Sequence, residues 1–112
     1  AGTLNLMASG GSGSATFTNL TMGQNTSTAS GTNGAAIATL NIGGGTVSVT
    51  GTMTMGSNTI TNTGVVDQTV APVQATTNIS GGTVTIGTLN MNTNSSANTG
   101  AGNASLSTLN IT

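Results

Sequence analysis

The chain has no lysine, arginine or histidine, no cysteine, no tryptophan or tyrosine, a single phenylalanine (Phe17), a single proline (Pro72) and a single acid, Asp67. Without a group that titrates near working pH, general acid–base catalysis has no agent. A nucleophilic Ser or Thr would have no base to activate it. Enzymatic activity is not expected, and no catalytic residue is assigned. Metal sites draw on clustered carboxylate, imidazole or thiolate. Asp67 alone cannot supply one, so it reads as a solvated loop aspartate, with no metal or cofactor. Nucleic-acid binding rests on neutralising phosphates with Lys and Arg, so it too is excluded. The Gly-rich runs at 10–13 and 43–45 lack the lysine of a phosphate loop and read as strand corners. A Lys–Asn isopeptide crosslink is impossible. Lack of cysteine removes disulfides and thiolate chemistry and leaves the redox compartment open. No apolar run approaches the roughly 20 residues of a membrane-crossing helix, so membrane insertion is not expected, and no signal-peptide pattern is present. The sequence opens on Ala1 rather than Met, which reads as a segment of something longer or as a mature secreted subunit.

What remains is polar, small and branched. Thr (25), Gly (18), Asn (14) and Ser (12) dominate the 112 residues, whereas Leu, Ile, Val, Met and Phe together number 26. A compact globule of one-domain size carries more large apolar side chains and about a quarter charged residues. Disorder of the ordinary kind combines low hydrophobicity with high net charge, and the formal charge here is −1. Thr, Val and Ile suit a pleated surface because branching at Cβ stiffens χ1. No stretch carries the i, i+3, i+4, i+7 stripe of a helix. The fold class is therefore all-β.

A phrase returns along the chain: Thr3-Leu4-Asn5-Leu6, Thr39-Leu40-Asn41-Ile42, Thr76-Thr77-Asn78-Ile79 and Thr108-Leu109-Asn110-Ile111. Its copies are 36, 37 and 32 residues apart, and residues 11–43 align with 80–112 without a gap at an offset of 69. The middle unit fits with one inserted residue, Gly45–Met55 beside Gly82–Met91. Periods of this size indicate solenoids, propellers or arrays. Repeat units are expected at about 3–38, 39–75 and 76–107, with 108–112 opening the next, all within a single repetitive domain. In each unit short alternating runs such as Thr83-Val84-Thr85-Ile86 and Thr88-Leu89-Asn90-Met91 are separated by glycine. Alternation puts Val84 and Ile86 on one face and Thr83 and Thr85 on the other. The expectation is a parallel β-helix-like β-solenoid of about three coils of 32–37 residues, each winding over three short faces. Its stacking core would be Val47, Val49, Met53, Met55, Val84, Ile86, Leu89 and Met91. Asn and Thr ladders would hydrogen-bond along the stack. A repeated charge would face its own copy about 5 Å away, which is destabilising and accounts for its absence. Three coils rise only about 14 Å and neither end resembles a polar cap. The ends are thus expected to meet flanking repeats of a longer chain or copies of the same chain, head to tail.

Val65–Ala75, with the only acid and the only proline, reads as a longer loop with an edge strand, since Pro72 cannot donate to an interior ladder. Asn-X-Ser/Thr triplets stand at Asn19, Asn25, Asn78, Asn94, Asn103 and Asn110. Among them Asn25, Asn94 and Asn103 are the glycan acceptors favoured by a loop position, although chance produces such triplets freely in this composition. Thr-X-Thr pairs (Thr16/Thr18, Thr50/Thr52/Thr54, Thr59/Thr61/Thr63, Thr83/Thr85) could order surface water, but they hold no fixed offset per unit. They are more simply strand-surface residues.

Gly-Gly-Thr-Val-Ser-Val, Gly-Gly-Thr-Val-Thr-Ile, Gly-Thr-Met-Thr-Met-Gly and Gly-Thr-Leu-Asn-Met make the chain similar to the autotransporter-associated β-strand repeats of large bacterial surface and secreted proteins. The resemblance spans nearly the whole chain on a degenerate motif. It implies a β-solenoid passenger at the bacterial cell surface: an extracellular fibre, sheath, biofilm component or adhesin stalk, with no catalytic residue to carry over. Family members usually include charged residues, and this chain departs from them there. Two other functions fit the composition. One is a Thr-rich surface for ice or carbohydrate, the latter weakened by Phe17 being the sole aromatic. The other is a functional amyloid without a defined coil.

Overall fold

A computed structural model describes residues 1–27, 35–61, 72–96 and 105–112. Every regular element among them is a strand: β1 (Gly2–Leu6), β2 (Ser14–Phe17), β3 (Leu20–Ser27), β4 (Ala36–Ile42), β5 (Thr46–Ile60), β6 (Val73–Ile79), β7 (Thr83–Ser96) and β8 (Ser105–Ile111). They form two sheets. The first has the order β1-β4-β6-β8; in the second, β5 is flanked by β2, β3 and β7. Because β7 runs along nearly all of β5, β2 and β3 lie end to end on the other edge of β5. Every pairing is parallel. Parallel neighbours need a crossover. Here the crossover between two strands of one sheet is a strand of the other, so the chain alternates sheets as it advances.

The register aligns equivalent residues of the repeated phrase. Thr3, Thr39, Thr76 and Thr108 pair in a row, as do Asn5, Asn41, Asn78 and Asn110. In the second sheet Val47 sits beside Val84, Met53 beside Leu89 and Met55 beside Met91. A register shift separates Val49 from Thr52, where the sequence carries one residue more than its neighbour. Gly51 absorbs it: its N–H donates to the Thr18 carbonyl at 2.8 Å. The next amide, Thr52, donates to Asn19 Oδ1 at 2.9 Å.

Alternation sends one face of each strand inward. Leu40, Ile42 and Ala75 of the first sheet meet Met22, Val47, Val49, Met53 and Met55 of the second in one buried cluster. Each fully buried side chain of this size contributes about 1.5–3 kcal/mol. Beyond Ile42 the chain turns through Gly43–Gly44–Gly45 within van der Waals reach of the preceding turn. A Cβ on Gly44 would lie 2.8 Å from both the amide nitrogen and the carbonyl oxygen of Gly11. Gly45 additionally takes φ 67°, the left-handed region that costs an L-residue with a side chain about 1–2 kcal/mol.

Three local expectations need correction. The strands make two sheets rather than three faces: glycines 51 and 87 are taken up within long strands instead of turning corners, which fuses two short runs into β5 and again into β7. Val73-Gln74-Ala75 belongs to β6, not to a loop. Val73 and Ala75 are buried, and Pro72 immediately precedes the strand, where its missing N–H costs no ladder bond. Asn94, expected at a loop position, lies within β7, which runs on to Ser96. Asp67 and the rest of 62–71 lie outside the described residues.

Candidate functional site

The structure offers no constellation of reactive groups. Among the described residues no three His, Cys, Asp or Glu side chains come together. What it offers instead are ordered files of small polar side chains on the outer faces and apolar side chains at the open edges.

The outer face of the first sheet follows from the Thr-X-Asn spacing of the phrase: two residues apart on a strand means the same face. Parallel in-register pairing then lines up the asparagines. Asn41 Nδ2 donates to Asn5 Oδ1 at 2.7 Å, Asn78 Nδ2 to Asn41 Oδ1 at 2.7 Å and Asn110 Nδ2 to Asn78 Oδ1 at 2.8 Å. Every amide in the file donates toward the lower-numbered strand. Alongside runs the threonine file Thr3, Thr39, Thr76 and Thr108. On the second sheet the outward positions carry hydroxyls in two further files, Ser14–Thr46–Thr83 and Thr16–Ser48–Thr85. Among the Thr-X-Thr residues, Thr16 and Thr85 therefore share one file through Ser48, and Thr83 stands in the other. Thr54 sits between Thr21 and Asn90.

A different asparagine column runs through Asn25, Asn58 and Asn94. Asn58 is 0% exposed, and among the described residues neither its Nδ2 nor its Oδ1 has a partner; Asn25 Nδ2 is likewise buried without one. The identity of Asn25 with Asn94 is visible in the alignment at an offset of 69, and the middle unit, continued three residues past Met55 and Met91, sets Asn58 beside Asn94. Asn25 and Asn94 lie within β3 and β7, which corrects the loop position expected for them. Asn103 lies outside the described residues. Elsewhere Thr77 stands where three of the four phrases have Leu. Buried, it offers its hydroxyl to Met22 Sδ at 3.7 Å and Met55 Sδ at 3.6 Å, both weak acceptors.

The expected core residues separate by layer. Val47, Val49, Met53 and Met55, on central β5, are buried. Val84 and Ile86, on outermost β7, are partly buried against the cluster. Leu89 and Met91 on the same strand are 37% and 40% exposed, because no strand among the described residues pairs with the outer edge of β7. Leu4 is 44% exposed on β1, while on β8 Leu106 and Ile111 reach 58% and 72%. Ile37, at the start of β4, is 39% exposed. At the β1 edge a cavity of about 300 Å³ opens between the sheets, lined by Leu4, Leu20, Met22, Ala38 and Leu40.

No family model, curated protein or solved structure matches this chain.

Proposed function

We propose that the chain is a structural β-solenoid segment that builds an extracellular fibre, sheath or adhesin stalk by adding like layers at its open edges. In this reading the alternation between two parallel sheets is the winding of coils of 32–37 residues. The partner at each end is a further coil, from a copy of the chain or from flanking repeats. The observation that carries the reading is the inward apolar seam left uncovered at both ends, Leu4 at one and Leu89, Met91 and Ile111 at the other. Open strand edges template further pairing, and the lack of charge removes the usual device that blocks it. The similarity to autotransporter-associated repeats supports a bacterial surface setting. Electron microscopy of the purified chain tests this. Unbranched filaments with an axial repeat of three strand layers, about 14 Å, are expected; dispersed monomers at every concentration would overturn it. A uniform repeat of about 4.8 Å with no longer period would instead mark a functional amyloid.

The hydroxyl files favour a second reading, a surface that orders water and binds ice. Unlike the Thr-X-Thr pairs, Thr3, Thr39, Thr76 and Thr108 hold one position per unit. Ice shaping by the unassembled chain would support it. A carbohydrate platform is less well supported, because Phe17 packs against the core cluster and leaves no aromatic on an outer face.

A further inference from the structure

The two sheets hold unequal numbers of layers. The first has four strands, β1, β4, β6 and β8; the second has three layers, with β2 and β3 sharing one. Two copies cannot join along both sheets without resolving that difference. If β7 of one copy pairs with β2 and β3 of the next, then β8 of the first and β1 of the second claim the same place beside β4. If β8 pairs with β1 instead, the second sheet is left with an empty strand position.

We propose that copies of this chain join by strand exchange, with β7 pairing onto β2 and β3 of the next copy and β8 docking on that copy's β4 in place of its β1. The proposal rests on the self-stacking reading above and specifies its joint.

A single register satisfies both sheets. The internal pairings β2 to β5 to β7 place Ser14, Thr46 and Thr83 in one row. Likewise β4 to β6 to β8 place Thr39, Thr76 and Thr108 in one row. Both rows advance by the 69 residues that align 11–43 with 80–112. The joint therefore repeats pairings already made twice within the chain. Thr108-Leu109-Asn110-Ile111 takes over the places of Thr3-Leu4-Asn5-Leu6, so the inward apolar and outward Thr and Asn positions keep their character.

The exchanged strand also fits better than the one it replaces. β1 has five residues and first pairs at Ala38, leaving the edge of β4 at Ala36 and Ile37 without a paired strand. β8 has seven residues and in this register sets Ser105 beside Ala36 and Leu106 beside Ile37. The exposed outward side chains of Leu106 and Ile37 then cover each other. On the second sheet Leu89 and Met91 arrive beside Leu20 and Met22, which line the cavity of about 300 Å³. Leu89, Met91, Leu106 and Ile37 thus all gain neighbours in one arrangement. Of the apolar side chains of β1 that it gives up, Leu4 is already 44% exposed, and Leu6, partly buried against the core cluster, is replaced by Ile111.

Cysteine pairing tests the joint in a background that contains no cysteine. Directly opposed residues on neighbouring strands lie about 4.8 Å apart, within the Cα span of a disulfide. Full-length T39C and T108C chains, assembled as a mixture under mild oxidation, are expected to give disulfide-linked dimers that neither gives alone. Dimers from T3C with T108C in their place would overturn the exchange and leave simple stacking intact. Filaments with neither dimer would also overturn it. No assembly of the unmodified chain would sink the self-stacking reading itself. L4D supplies a second readout of opposite sign. By weakening the hold of β1 it should shorten the lag before assembly; if β1 is instead part of the joint, the new charge abolishes assembly and the exchange is wrong.

Discussion

Two asparagines of the same chemical type are expected to respond oppositely to replacement. Asn41 donates to Asn5 and accepts from Asn78 on an outer face. Asn41→Ala removes both hydrogen bonds and should cost about 1–2 kcal/mol, read as a lower urea midpoint. Asn58 is fully buried, and among the described residues neither amide atom has a partner, a condition whose desolvation penalty is about 1–3 kcal/mol. Asn58→Leu, similar in size and free of that penalty, should raise the urea midpoint; a fall would show that the amide is satisfied in solution. The glycine turn is stricter than either. At Gly45 a side chain would be held in the left-handed conformation that the turn imposes, with its Cβ driven into Met7 Sδ and the Gly13 carbonyl oxygen. Gly45→Ala should therefore lose about 2–5 kcal/mol, combining backbone strain with overpacking.

At the level of strands, burial depends on layer and not on residue type. Met53 and Leu89 occupy the same column, yet the first is 2% exposed and the second 37%. Met53→Ala should cost about 2–5 kcal/mol in the isolated chain. Leu89→Ala should cost well under that, and its effect should appear instead as slowed assembly, followed by light scattering. The columns were legible beforehand. The phrase spacing, the inward positions of Val47, Val49, Met53 and Met55 and the inserted residue near Gly51 could all be read from period-two alternation and self-alignment. Sheet number was not. Glycine marks a corner at 43–45 and a mere irregularity at 51, and the difference lies in whether neighbouring layers crowd the backbone, which a single sequence does not display. For the same reason Val73 and Ala75 look like part of the Pro72 loop until their pairing with Ala36 and Ala38 is seen. The column of Asn25, Asn58 and Asn94 is continuous in the self-alignment, but the burial of Asn58 is not, because burial is set by the neighbouring layers rather than by the residue.

For the molecule as a whole, stability is carried by apolar burial, backbone pairing and neutral amide bonds. No imidazole, thiol, phenol or side-chain ammonium exists to titrate between about pH 5.5 and 10. The urea midpoint should stay level across that window. Sodium chloride should leave it nearly unchanged, as screening has no charge pairs to weaken. Sulfate should raise it by strengthening effective burial. A bell-shaped or strongly salt-dependent profile would show that something other than this neutral framework holds the chain together. Trypsin, which cuts after Lys and Arg, has no site in the sequence, so detection by peptide mass spectrometry calls for a protease of different specificity.

The asparagine file has a sense of direction. Each carboxamide turns its NH2 toward the lower-numbered strand and its C=O toward the higher, so one extremity presents a spare donor and the opposite one a spare acceptor. Mirror-wise union of two chains would set NH2 against NH2 or C=O against C=O. Any assembly of this chain along that axis is thus a vector, with two unlike tips that can elongate at different speeds.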